Sequence, residues 1–209
     1  EQGARILAKG GRDALKVCAV AEKIAVPVDE AKSFFEDDHD LYIQTSRFLD
    51  ERLRVASYEA LDKLPDDATA IQKLRESAKV YFNLALDNPT YFAAYNNSET
   101  ATSFPNFEEG IEEGKSFDAF PPTFRWMLEH MREAAIAARG DFEHRLVVIQ
   151  SLTYLSELQG ITHLATFGIM RHLSPTAKKQ TFNACIETLF SGLEVSLRDG
   201  EIAPFEPLA

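Results

Sequence analysis

The sequence predicts an all-α protein of about nine helices. Apolar residues recur with a period of about 3.6 along every long segment, and no stretch alternates cleanly enough to indicate a β-strand. Glycine and proline residues separate these segments, as expected where helices end. Hydrophobic residues make up 45% of the 209-residue chain, which is enough for a substantial core. We therefore expect helices that pack on helices.

Three short helices are expected near the N-terminus. Gly10 and Gly11 close the first, and the second spans residues 17–24. Pro27 opens the third, because proline is tolerated at a first helical position, where the backbone N–H is unpaired anyway. Two short helices that meet at a tight turn beside longer ones have the layout of a DNA-binding helix-turn-helix.

Two further helices should follow. The first runs from about residue 38 to residue 63 and stops before Pro65, because a proline disfavours helical geometry in the residue that precedes it. Asp66 and Asp67 are expected to cap the second, since short acidic side chains accept hydrogen bonds from the first N–H groups of a helix. Its apolar positions continue to Leu86.

The rest of the chain is also predicted to be helical, apart from one long loop. Asn88 and Pro89 end the preceding helix and begin a short aromatic one. The stretch from residue 96 to residue 122 is acidic and rich in glycine and proline, which predicts a loop. Three long helices complete the predicted fold, at residues 122–138, 141–172 and 175–197.

Charge and hydropathy limit the function classes. The formal net charge of −11 argues against an extensive DNA-binding surface, because phosphate affinity comes from Lys and Arg. A small basic patch on an acidic body is compatible with this charge. No apolar run approaches the roughly 18 residues that a membrane span needs, and the N-terminus has no signal-peptide pattern. We expect a cytoplasmic protein with no membrane partner.

No motif predicts catalysis. Cys18 and Cys185 lie far apart in amphipathic patterns, and we expect two buried, reduced thiols. The spacing of Glu36 and His39 matches half of a di-iron motif, but a second copy is lacking. The sequence contains no G-x-S-x-G, no phosphate-binding glycine loop and no zinc-type cysteine spacing. We expect no enzyme, no metal and no cofactor.

Motifs in both halves of the chain carry a family resemblance. The N-terminal motif is the order and spacing of Gly11, Val20, Ala21, Ala25, Val26, Phe35 and Leu41. The C-terminal motifs are the sequence from Phe82 to Pro89, followed by Tyr91 and Phe92, and the segment 160–164. Together they resemble the tetracycline-repressor (TetR) family of bacterial regulators. The C-terminal motifs are similar to the effector domain of the branch with a Trp-x-x-x-His-Gly segment, and 160–164 is similar to the downstream part of that segment.

The resemblance implies two domains. Residues 1–44 would form the helix-turn-helix DNA-binding domain, and residues 45–209 would form a helical domain for effector binding and dimerisation. Three positions of the reading module depart from the family's pattern. Lys16 stands where the family has a capping Ser or Thr, Lys32 where it has Tyr, and Asp38 where it has Lys. The C-terminal motif also departs from the family, since Leu155 stands where the family has Trp and Gln159 where it has His.

The resemblance also implies the residues that contact DNA. The segment from Pro27 to Asp40 carries six acidic residues and one cation. We expect Asp37, Asp38 and Asp40 to stabilise the start of the following helix through its dipole. The residues expected to face base edges and phosphates are Lys16, Lys23, Val28, Asp29, Lys32 and Ser33.

A ligand pocket is expected in the C-terminal domain. Apolar walls with a few polar groups are the usual make-up of a small-molecule cavity, although each of these residues could instead fill a core. The candidate lining residues are Phe82, Leu86, Phe92, Tyr95, Phe117, Phe120, Trp126, Met127, His130, Met131 and Thr153. Such a lining predicts an apolar or amphipathic effector.

The last two helices are expected to form a two-fold, isologous dimer interface. The small residues Gly160, Ala184 and Gly192 would permit close helix approach. The alternative is that the apolar residues of these helices are buried within one chain. The candidate interface residues are Leu152, Leu155, Gln159, Ile161, Phe182, Ile186, Leu189 and Phe190.

These observations favour a ligand-responsive, DNA-binding transcriptional regulator that acts as a homodimer and a repressor. Its expected partners are double-stranded operator DNA and a small effector. The alternative is a TetR-like helical module that binds a ligand or a protein and has lost operator binding.

Overall fold

The structure is a computed structural model that describes residues 1–98, 117–120 and 122–200, and the regular elements in these ranges are all helical. The predicted all-α class is therefore confirmed. Short 3-10 helices lie at Phe117–Ala119 and Ile169–His172. The α-helices are α1 (Gln2–Ala14), α2 (Val17–Ile24), α3 (Val28–Lys32), α4 (Asp38–Leu61), α5 (Ala70–Asp87), α6 (Pro89–Asn96), α7 (Pro122–Arg139), α8 (His144–Thr166) and α9 (Pro175–Asp199).

The chain forms two compact units. The first contains residues 1–60 and 80–98. The second contains the described residues of 61–79 and 117–200. The sequence predicts a boundary between two functional domains at residue 44. This position lies inside α4, and the division into functional domains stays a prediction.

The core of the first unit forms where α1 packs on α2 and α6. Leu7 and Leu49 are fully buried there. The helical geometry of α1 breaks at Gly11, whose φ of 66° lies in the left-handed region that glycine adopts without strain. This break is where the sequence predicts that the first helix closes. The Tyr91 hydroxyl donates to the Leu49 carbonyl and ties α6 to α4.

The core of the second unit lies among α7, α8 and α9, which pack on one another. The Tyr154 hydroxyl donates to the Leu74 carbonyl at 2.9 Å, and its ring meets Phe190 edge-on at 5.8 Å. Burial raises the pKa of Tyr154 well above its ordinary value. Arg75 lies over the same Phe190 ring at 4.6 Å and pairs with Glu187 on α9. Packing and hydrogen bonding therefore hold these residues together.

The predicted cap of α5 is wrong. Asp66 and Asp67 lie in a turn, and the helix begins three residues later, at Ala70. The Gln72 N–H donates to the Thr69 hydroxyl at 3.2 Å, and the Thr69 N–H donates to the Gln72 side-chain carbonyl at 2.8 Å. This reciprocal pair is a capping box, which satisfies two backbone donors where a single aspartate would satisfy one.

The helix predicted at residues 141–172 is shorter than expected. It starts at His144 and ends at Thr166, and Gly168 lies in the break before the following 3-10 helix. The N–H groups of residues 167 and 168 both donate to the His163 carbonyl, at 2.9 and 3.0 Å. A Cβ at Gly168 would lie 2.8 Å from the Leu164 Cα, so the turn needs glycine.

The predicted burial of the cysteines is also wrong, since Cys18 and Cys185 are both exposed. The buried stripe of α2 uses Val17 and Ala21. A helix turns by about 100° per residue, so the position next to a buried one faces elsewhere. On α9, Ile186 is buried, and the preceding residue, Cys185, is exposed for the same reason.

The capping box predicts a specific stability effect. Thr69→Ala should lower the free energy of unfolding by about 1 kcal/mol, because the first N–H groups of α5 lose their acceptor. Urea denaturation followed by circular dichroism measures the loss. Asp66→Ala is the matched control and should change the free energy of unfolding by less than about 0.5 kcal/mol. A larger loss for Asp66→Ala than for Thr69→Ala would instead show that the aspartate caps α5.

Candidate functional site

A tight turn joins α2 to α3, and we refer to residues 17–32 as the helix-turn-helix. Ala25 adopts a left-handed conformation with a φ of 56° and ends α2. Its N–H donates to the Glu22 carbonyl at 3.3 Å, and the Val26 N–H donates to the Ala21 carbonyl at 3.1 Å. These two bonds satisfy the last carbonyls of α2 and turn the chain toward α3. The prediction of two short helices joined here agrees with the observed bounds.

The third helix presents most of its residues to solvent. It has five residues, and Ala31 is the one that it buries. The base-facing candidates Val28, Asp29, Lys32 and Ser33 are all exposed. The Ser33 hydroxyl donates to the Glu30 carbonyl at 2.6 Å, so its proton is already used. The structure thus groups the predicted base-facing residues on one short exposed element.

Two of the acidic residues cap α4, as predicted. The Asp37 carboxylate accepts the Asp40 N–H at 2.8 Å. The Asp40 carboxylate accepts the Glu36 N–H at 3.2 Å and the Gln44 side-chain amide at 3.3 Å. Both carboxylates satisfy donors at the beginning of the helix, where the macrodipole also favours negative charge.

Asp38 instead caps a different helix. One oxygen of its carboxylate accepts the Val17 N–H, at the start of α2, at 2.8 Å. The other lies 3.4 Å from the Lys16 ammonium. Lys16 is the residue that precedes α2, and its side chain has no acceptor with which to cap the helix. Asp38 therefore caps α2 from α4 through the first helical N–H, whereas a Ser or Thr at position 16 would accept from the second or third.

The first turn of α4 also holds the end of α1. Arg12 lies 2.9 Å from the His39 ring nitrogen and stacks over the Tyr42 ring at 4.6 Å. With Asp38, these residues position α1 and α2 from a single helical start. Sequence reasoning missed this role because the partners lie more than 20 residues apart, outside any local pattern.

The cations predicted to contact DNA differ in their availability. Lys16 is paired with Asp38. Lys23 and Lys32 are exposed and form no ion pair within the part of the chain that the structure describes. The exposed carboxylates Asp29 and Glu30 lie on the same short helix as Lys32. Both positive and negative side chains are therefore exposed on α3.

Three exposed apolar side chains flank this surface. Ile24 and Val28 are 48% and 38% exposed, and Phe34 is 72% exposed. Sequence reasoning did not single out Phe34. Exposed apolar groups beside a reading helix can contact thymine methyl groups or an apolar protein surface.

The predicted ligand-binding residues of the first unit are packed as a core. Phe82, Phe92 and Tyr95 are buried, and Leu86 is partly exposed. The Tyr81 ring meets Phe92 and Tyr95 edge-on, at 5.6 and 6.1 Å. Burial also raises the pKa of Tyr95. Edge-to-face aromatic contacts of this kind stabilise a core.

In the second unit, the predicted ligand-binding residues are more varied in exposure. Trp126 and His130 are partly exposed and stack at 4.2 Å. Thr153 is exposed, and its hydroxyl donates to the Ile149 carbonyl at 3.0 Å. The remaining members are buried, namely Phe117, Phe120, Met127 and Met131. The predicted pocket draws on both compact units, and it stays a prediction.

A cleft of about 150 Å³ lies within the second unit. Of the predicted ligand-binding residues, Phe117 lines it. The other lining residues are Asp118, Arg125, Glu129, Arg132, Phe142 and His144. His144 is buried and stacks on Phe117 with ring centroids 4.9 Å apart. Sequence reasoning missed this site because it looked for mostly apolar walls, whereas charged residues line much of this cleft.

Half of the predicted dimer residues are already buried within the chain. Phe182, Ile186, Leu189 and Phe190 of α9 are at most 5% exposed. Side chains without accessible surface cannot lose more of it to a partner. Their apolar pattern on α9 is therefore explained by the core of the second unit.

The other predicted dimer residues retain accessible surface. These are the α8 side chains Leu152, Leu155, Gln159 and Ile161, which are all partly exposed. Larger exposed apolar groups follow near the end of α8, namely Leu164, Phe167, Ile169 and Leu173.

The described residues contain no group of three or more His, Cys, Asp or Glu placed to hold a metal ion. Within the same residues, no helix is both long and apolar enough to span a membrane. No protein-family model matches the chain, and no curated protein matches it significantly.

The geometry around Asp38 separates a capping role from an ion-pairing role. Asp38→Ala should lower the free energy of unfolding by about 1 kcal/mol, because the α2 N-terminus loses its acceptor. Lys16→Ala should lower it by less than about 0.5 kcal/mol, since an exposed ion pair contributes little. Urea denaturation measures both, and faster amide exchange at Val17 should accompany the Asp38 change alone. Equal losses for the two variants would assign the effect to the ion pair.

Proposed function

We propose that this protein is a ligand-responsive transcriptional regulator that binds double-stranded DNA through α3, as the TetR family that its sequence resembles does. The observation that carries the proposal is the helix-turn-helix, with Val28, Asp29 and Lys32 exposed on its second helix. A short exposed helix after a tight turn fits the major groove, where base edges present distinct donors and acceptors.

The charges of the module bear on the strength of this binding. Asp37, Asp38 and Asp40 accept backbone N–H groups, so their carboxylates are engaged within the fold. Asp29 can accept from the exocyclic amine of cytosine, which makes an acid tolerable at a base edge. Lys23 and Lys32 are then the cations available to phosphate, and about four such contacts per dimer predict a salt slope of about −4.

The proposed regulator acts as a homodimer and, in the form we favour, as a repressor. Two reading helices must lie about 34 Å apart to enter successive major grooves of one DNA face. The exposed apolar side chains Leu164, Phe167, Ile169 and Leu173 support an interface at the end of α8. A ligand that binds one arrangement of the reading helices better than another shifts the population toward that arrangement.

A second function is favoured by one observation. Phe34, Ile24 and Val28 expose apolar surface on the helix-turn-helix, beside the carboxylates of Asp29 and Glu30. Such a surface suits a basic, amphipathic protein segment better than it suits a polyanion. The alternative is thus a helical module that binds a protein and has lost operator binding.

DNA binding is tested by reversing one charge on α3. Lys32→Glu should weaken binding to a DNA fragment from the chain's own upstream region by more than about tenfold at low salt. It should also reduce the salt slope by at least about 0.9 per protomer, because a phosphate contact is lost. Fluorescence anisotropy at several salt concentrations measures both quantities.

Lys63→Glu is the matched control, because Lys63 is exposed, is not part of the helix-turn-helix, and its substitution gives the same change in net charge. It should leave the salt slope unchanged. A wild-type protein that shows no salt-dependent binding to its upstream DNA would remove the DNA-binding proposal in favour of the protein-binding one. A monomeric mass at micromolar concentration would contradict the homodimer.

A further inference from the structure

The cleft in the second unit is lined by charged residues from one face of α7. Arg125, Glu129 and Arg132 are spaced by four and three residues, which places them one above another on a helix. The 3-10 helix at Phe117–Ala119 and the start of α8 complete the walls. Its volume of about 150 Å³ is that of about five water molecules, which suits a small metabolite.

One charge pair in the cleft is satisfied internally. The Arg125 guanidinium binds the Asp118 carboxylate at 2.6 Å. An arginine held by a carboxylate in this way has little remaining attraction for a second anion. This pair therefore forms part of the wall.

Arg132 is positioned by aromatic rings. Its guanidinium lies 5.8 Å from the ring centroids of both Phe117 and Phe142. Cation–π contacts of this kind leave N–H donors of the guanidinium available to bind a carboxylate. No carboxylate pairs with Arg132 among the residues that the structure describes.

Glu129 supplies the opposite charge in the cleft. It lies one turn before Arg132 on the same helix face and lines the same cleft. Within the described ranges, no cation lies within ion-pair distance of its carboxylate. Among these residues, one unpaired cation and one unpaired anion therefore face a shared small volume.

We propose that this cleft binds a small zwitterion of the class of free α-amino acids. Arg132 binds its carboxylate through two parallel N–H donors, and Glu129 binds its ammonium group. The rings of Phe117, Phe142 and His144 contact its side chain. A simple anion would meet the Glu129 carboxylate at close range, and a simple cation would meet the Arg132 guanidinium, so a ligand with both charges fits best.

This binding goes beyond the proposed function, because it requires no DNA contact and no dimer. It is measured on the protein alone, so the failure of operator binding leaves it unaffected. A zwitterion that binds here and also changes operator affinity would be the effector of the proposed regulator.

The first experiment tests the need for both charges on the ligand. Isothermal titration compares L-leucine with isocaproate, which lacks the ammonium group, and with isoamylamine, which lacks the carboxylate. We expect L-leucine to bind at least about tenfold more tightly than either analogue, because each charge-assisted hydrogen bond contributes to affinity. The other common L-amino acids are titrated in the same way, up to about 10 mM, which detects a dissociation constant near 1 mM.

The second experiment assigns each charge to a residue. Arg132→Gln should weaken L-leucine and isocaproate by about tenfold and leave isoamylamine unchanged. Glu129→Gln should weaken L-leucine and isoamylamine and leave isocaproate unchanged. The matched controls are Arg145→Gln and Glu133→Gln, which remove the same charges from exposed neighbouring positions outside the cleft. Both controls should bind L-leucine as the wild type does.

Several results would overturn the proposal. One is the absence of binding by every common amino acid at about 10 mM. Another is binding that neither substitution weakens, or amide shifts in nuclear magnetic resonance spectra that avoid residues 129, 132, 142 and 144. Circular dichroism checks that each variant is folded. If Arg132→Gln is not, Glu129→Gln decides the assignment, because a loss confined to the two ligands with an ammonium group is expected only from direct contact.

Discussion

The arrangement of the helix-turn-helix depends on one carboxylate at the start of α4. Asp38 accepts the Val17 N–H and so caps α2, which has a lysine at its own capping position. The next residue, His39, binds Arg12 at the end of α1. A helix start is normally stabilised by the residue that precedes it. Here the stabilising group comes from a different helix, so the cap also fixes the position of α2 on α4.

This arrangement changes the meaning of the acidic sequence. Read as a linear stretch, residues 36–40 place a block of negative charge next to a helix that should meet phosphate. In the structure, Asp37, Asp38 and Asp40 each accept a backbone N–H. A carboxylate that caps a helix is partly neutralised by the helix dipole. The electrostatic objection to DNA binding therefore reduces to Asp29 and Glu30, which are exposed on α3 itself, and to Glu36, which is exposed just before α4.

The sequence predicted the helices well because the glycine and proline residues that separate them act locally. Gly11, Pro27 and Pro89 act on their own backbone: α1 breaks at Gly11, Pro27 immediately precedes α3, which begins one residue after the predicted start, and α6 begins at Pro89. Three features escaped prediction because they depend on distant partners or on small rotations. The cap by Asp38 acts across 21 residues. Cys18 is exposed because Val17, one position away, takes the buried place. The spacing of charged residues on α7 is present in the sequence, but the rings that contact Arg132 come from outside that helix, so the cleft itself was not predicted.

The two candidate sites differ in how firmly their charged groups are held. Lys32 lies on a five-residue helix that buries Ala31 and packs on α2, so the position of this helix depends on α2 and hence on Asp38. Arg132 stands in the interior of an 18-residue helix with aromatic rings on its guanidinium. A group that is already ordered loses less conformational entropy when a ligand binds. The proposed small-molecule binding in the cleft would therefore depend on local packing around α7, whereas the proposed DNA binding through α3 would depend on the anchoring of the whole helix-turn-helix.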